Sequence, residues 1–146
     1  MRIRGVLLAV VLVTVVASCG SGEAADTPKA TSTTAPAANG IDLSHEKFED
    51  DTKENAVTIN AIDNLFKAPY IEVKAGTVIV FRNDGHNEHN VLPDEKGVFA
   101  DIATDDFEPG VEKQVVLTTP GDYPYYCSLH GNTKGKGMVG AIRVLQ

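Results

Sequence analysis

From Ala56 onward the chain alternates apolar and polar positions with the two-residue period of a half-buried strand. Val57, Ile59 and Ala61 alternate with Thr58 and Asn60, and Ile71 and Val73 follow Pro69. Residues 78–81 are an apolar run after Ala75-Gly76, and Val91-Leu92 stops at Pro93. Residues 111–117 are closed by Pro120-Gly121; Tyr123, Tyr125 and Cys127 alternate next; residues 139–145 finish the chain. Seven to eight short strands punctuated by Gly and Pro predict an all-β fold, a Greek-key β-sandwich. No segment sustains a helical period, although residues 94–108 leave room for a helical insertion. Residues 56–146 are the predicted domain, small but able to bury one core.

The first half-hundred residues follow other patterns. Arg2 and Arg4 precede an apolar run over residues 6–17, broken only at Thr14. The run is too short to span a bilayer comfortably and suits a signal peptide over residues 1–18. It ends in Val16-Ala17-Ser18-Cys19, small residues before a cysteine, similar to a bacterial lipobox. Cys19 is then the expected lipidation site, and the protein is expected outside the cytoplasm, in periplasmic position, held to the cell membrane as a lipoprotein. Residues 20–40 are rich in Ala, Thr, Ser, Pro and Gly and read as a flexible tether. Residues 41–55 are charged and read as a short helix or more tether, so the boundary is set at 55.

Charge narrows the function. Twenty acidic residues against thirteen basic ones give a net charge of −7, the wrong sign for a nucleic-acid surface. The two cysteines, Cys19 and Cys127, exclude a disulfide-rich scaffold. A bridge between them would need the leader retained and the tether folded back, so Cys127 is read as a thiol with other work.

The residues around it indicate which. Tyr125-Tyr126-Cys127-Ser128-Leu129-His130 is followed by residues 131–137 and then Met138-Val139-Gly140; earlier comes His86-Asn87-Glu88-His89-Asn90-Val91. One thiolate, two imidazoles and a thioether are the donors of a blue-copper electron-transfer site. Cys127 ends a strand, His130 lies in the following connection and Met138 starts the next strand, so one strand pair delivers three donors to one sandwich end. The second imidazole comes from His89 or His86; His86 lies in a polar Gly-containing turn and reads as solvent-exposed.

These pieces, with Gly76-Thr77, Phe81-x-Asn83 and Gly121-x-Tyr123, resemble the plastocyanin-type cupredoxins over roughly residues 56–146. The resemblance implies one type 1 copper held by His89, Cys127, His130 and Met138. It implies Asn90 and Ser128 around the sulfur, with the Asn90 amide donating to it, and His130 as the solvent-edge ligand through which the electron leaves. Tyr126 corresponds to the family's partner-docking surface, and Asp94 and Glu95 fall at the spacing of the plastocyanin acidic patch. Tyr123 looks like a tyrosine-corner residue. In one respect the chain departs from plastocyanins: seven residues separate His130 from Met138, a longer spacer, and it brings Lys134 and Lys136 beside the electron exit.

The expected function is a membrane-tethered, monomeric carrier of single electrons between redox partner proteins, a cytochrome or a copper or haem oxidoreductase. The alternative is copper delivery or storage for cuproenzyme assembly, which a methionine-rich tract would favour; Met1 and Met138 are the only methionines. An enzyme is not expected, since only His45 and His86 remain for a catalytic copper.

Overall fold

The computed structural model describes residues 40–146. The expected leader (1–18), Cys19 and the tether as far as residue 39 lie outside the described residues.

The described residues form nine strands: β1 (Glu49–Asp50), β2 (Ala56–Ile62), β3 (Leu65–Lys67), β4 (Tyr70–Lys74), β5 (Val78–Asn83), β6 (Leu92–Pro93), β7 (Glu112–Val116), β8 (Gly121–Asn132) and β9 (Lys136–Leu145). The insertion expected between residues 94 and 108 is a single 3-10 turn, Thr104–Asp106. One sheet runs β1-β4-β9-β8-β6 and the other β3-β2-β5-β7. Both are mixed: β4 lies parallel to β1 and β9, and β2 parallel to β5, while the remaining pairs are antiparallel. After β3 the chain passes from sheet to sheet at each strand up to β8, which gives the Greek-key β-sandwich the alternation predicts.

The alternation finds its physical cause in the core. Ile59, Phe66, Ile79 and Phe81 from one sheet face Ile71, Val73, Tyr125, Ile142 and Val144 from the other, all buried. Tyr125 packs edge-on against Phe66 and Phe81, with centroids 5.0 and 5.2 Å away. Its buried hydroxyl donates to the Pro69 carbonyl at 3.1 Å. A Cβ at Gly140 would lie 2.5 Å from Tyr125 Cζ, so glycine makes the room for this ring. Tyr123 donates to the Thr119 carbonyl at 2.7 Å, the bond expected of a tyrosine corner.

Two short strands were hidden in the sequence pattern. Ile62 and Leu65 pair across the two-residue turn Asp63-Asn64, with Asp63 at φ 50°, so β2 and β3 form a tight hairpin. β1 corrects the tether boundary. Residues 41–55, expected as helix or tether, pack on the domain and add β1 in parallel beside β4. The cause is a few well-placed contacts: Phe48 lies edge-on to Tyr70 at 5.8 Å, and the Arg143 guanidinium covers its ring at 3.9 Å. Arg143 is itself held bidentate by Asp122 at 2.8 and 3.0 Å.

Candidate metal centre

Cys127 sits on β8, between β9 and β6 in the five-stranded sheet, and is fully buried. Its Sγ lies 3.8 Å from His89 Nδ1 and 3.7 Å from His130 Nδ1. The three donor atoms all lie within 4.8 Å of one another, and no other group of three such donors occurs among the described residues. Donors that share one ion at about 2.0–2.3 Å each are spaced like this. His89 is fully buried, whereas His130 is half-buried at the surface. Burial, and then the nearby His130, hold the His89 imidazole below the usual histidine range, with Asp63 opposing. A neutral ring keeps its lone pair for a metal.

A hydrogen-bonded frame places each donor. Asn83, fully buried at the end of β5, donates to the carbonyls of Asn87 and Phe107 at 2.9 Å each and accepts from the Gly85 amide at 3.0 Å. It fixes the turn that delivers His89. Asn90 Oδ1 accepts from the Ser128 amide at 2.8 Å, and its Nδ2 donates to Ser128 Oγ at 2.9 Å and Thr104 Oγ1 at 3.2 Å. Asn90 thus ties the His89 segment to the residue after Cys127. Two side-chain bonds from Asn90 to Ser128 span the gap between the two segments. Asn83 and Thr104 were missed as site residues, and a buried asparagine closing an apolar strand was the available signal for the first.

The spacer also differs from a plain loop. β8 and β9 continue past the site as an antiparallel hairpin, with a bulge after Tyr126 and pairs Gly131↔Gly137 and Asn132↔Lys136. Asn132–Gly135 is the turn: the Gly135 amide donates to the Asn132 carbonyl at 3.2 Å and the Lys134 amide to Asn132 Oδ1 at 2.9 Å. A Cβ at Gly131 would lie 2.6 Å from the Met138 carbonyl, and one at Gly137 (φ +79°) would strike the His130 carbonyl. His130 and Met138 are therefore held backbone to backbone, and the added length projects outward. Met138 is fully buried on β9.

His86 stands apart: its side chain is 96% exposed and faces Asp63 at 3.7 Å. Lys134, Lys136 and Glu95 are exposed, and Tyr126 is half-buried. Leu129, beside His130, is 51% exposed. Asp94 is half-buried and accepts from the Ile41 amide.

Residues 52–145 match the family described as copper binding proteins of the plastocyanin/azurin family. Chloroplastic plastocyanin of Hordeum vulgare is 37% identical over 87 residues, covering 55% of this chain and 54% of the relative. Plastocyanin of Lactuca sativa is 33% identical over 89 residues, covering 55% and 87%. The chain spans about half the length of the first curated relatives it matches. A purple cupredoxin from Nitrosopumilus maritimus shares the fold at TM-score 0.50 and 20% identity, over 61% of this chain and 99% of that one. Part of a copper-containing nitrite reductase from Thermus scotoductus does so at TM-score 0.52 and 24% identity, over 75% and 26%. The cysteine and two histidines fit a type 1 copper site, and with this match across its β-sandwich the chain belongs to the plastocyanin/azurin family of copper-binding proteins.

Proposed function

We propose that this protein carries single electrons between redox proteins outside the cytoplasmic membrane, using one type 1 copper that His89, Cys127, His130 and Met138 would hold. The observation that carries the reading is the thiol sulfur placed 3.7 and 3.8 Å from two imidazole nitrogens in a buried, braced setting. Copper bound there supplies a one-electron Cu(I)/Cu(II) couple. Cys127 contributes a polarizable thiolate on a rigid strand. His89, neutral and enclosed, contributes a fixed imidazole, and the Asn83 and Asn90 networks keep both from moving as charge changes. His130 reaches the surface and is the route for the electron. Exposed Leu129 and half-buried Tyr126 border it as a docking surface for a cytochrome or a copper or haem oxidoreductase. Exposed Lys134, Lys136 and Glu95 supply charge for steering.

Delivery or storage of copper is the weaker reading, because exchange with a partner favours accessible donors and Cys127, His89 and Met138 are fully buried. Carrier chemistry requires no further catalytic group. In the same proposal Cys19 is lipidated after removal of residues 1–18, residues 19–39 are the tether, and the monomer stays at the membrane surface.

The deciding experiment is a Cu(II) titration of metal-free protein beginning at Gly20, followed in visible light. An intense thiolate-to-copper band that saturates at one equivalent is expected. Tight Cu(I) binding with no such band would overturn the carrier in favour of delivery. Membrane attachment is checked separately: Cys19→Ser is expected to release the protein into the soluble fraction, and its retention in membranes would refute the anchor.

A further inference from the structure

The first described residues pack on the ligand hairpin. Ile41 is 3% exposed yet stands outside the main core cluster. Its amide donates to Asp94 Oδ2 at 3.3 Å. Gly40 fits between the Thr133 carbonyl and the same carboxylate; a Cβ there would lie 2.8 and 2.9 Å from the two Asp94 oxygens and nearer still to the carbonyl. From the hairpin side, a Cβ at Gly135 would lie 3.8 Å from Ile41 Cγ2. Asp94 is anchored in turn, its amide donating to the Pro124 carbonyl on β8 at 2.9 Å.

This contact falls where the hairpin needs support. Residues 132–137 are exposed, so the core does not fix the tip. The same hairpin holds His130 and Met138 through Gly131 and Gly137. A tip free to swing would move the His130 backbone with it. A carboxylate in contact with a backbone amide is also committed inward, which reduces its value as a surface charge.

We propose that residues 40–41 form a strap across the ligand hairpin, fastened by Asp94, and that Asp94 is a positioning residue for His130. The functional consequence rests on the copper reading above; the strap itself does not. Three variants in the full chain test it: Asp94→Ala, Asp94→Asn and Ile41→Ala. Asparagine keeps an acceptor oxygen at position 94 and removes only the charge. In metal-free protein, amide exchange at Lys134 and Gly135 is expected to quicken about tenfold in Asp94→Ala, the size of one lost hydrogen bond, and to quicken also in Ile41→Ala, which keeps that bond but loses the side chain packed toward Gly135. Asp94→Asn stays near the parent rate, and the β5 amides of Ile79 and Phe81 stay protected in all three. With copper bound, Asp94→Ala and Ile41→Ala shift the reduction potential and Asp94→Asn does not. Hairpin exchange unchanged in Asp94→Ala, or Asp94→Asn behaving like Asp94→Ala, overturns the strap. Faster hairpin exchange in a protein that gives no blue band supports the strap and removes the copper reading instead.

Discussion

Two histidines three positions apart show how a residue's chemistry depends on its surroundings. His86 and His89 share a polar segment, yet one is almost wholly in water and the other wholly enclosed against Cys127. Sequence put Cys127 and His130 in one motif, because three residues of spacing carry them around the same bend. It favoured His89 through the family resemblance, but burial, which separates the candidates physically, is set by residues far along the chain. The Asn90 network was legible only as two names; its bonds to Ser128 and Thr104 join segments no local pattern connects. Three outcomes follow at this scale. Cys127→Ser is expected to abolish the intense visible band while far-ultraviolet circular dichroism keeps its β signature. His86→Ala is expected to leave the band and copper stoichiometry unchanged, and loss of either would reopen the ligand choice. Asn90→Ala strands the Ser128 amide and is expected to cost about 1–3 kcal/mol in urea unfolding.

Among the elements, those with long alternating runs were readable and those held by tertiary contact were not. β2, β5, β8 and β9 have enough buried positions to betray their period. β1 has two residues, both exposed, and exists only because β4 offers an edge beside it. β3 follows a two-residue turn whose Asp63 takes a left-handed conformation, a signal that Asp-Asn carries weakly. The spacer 131–137 reads from the sequence only as a longer connection; as a paired hairpin it lengthens outward without spreading His130 from Met138. Gly137 is the sharpest test. Alanine there meets both a left-handed φ and the His130 carbonyl, so Gly137→Ala is expected to destabilise the protein by at least about 1–2 kcal/mol. It is also expected to shift the copper absorption bands, and bands in unchanged position would show that His130 is fixed independently of the hairpin.

At the scale of the molecule, stability and metal chemistry are linked through pH. The His89 imidazole is held below its ordinary range, chiefly by burial. The unfolded chain therefore takes up that proton first as pH falls. The metal-free protein keeps this contribution above the unfolded value of about 6.5 and loses it as pH drops through the lower folded value. A urea midpoint that stays flat between about pH 7.5 and 5 would contradict this. The order of strands has a further consequence for how the protein is made. β9 occupies the centre of its sheet, between β4 and β8, yet follows every other described strand in the chain. A chain emerging N-terminus first must wait with β4 and β8 unjoined until that last strand arrives. Met138 comes with it, so an unfinished molecule lacks both a closed sheet and the proposed fourth donor. Copper would then meet finished domains rather than nascent ones.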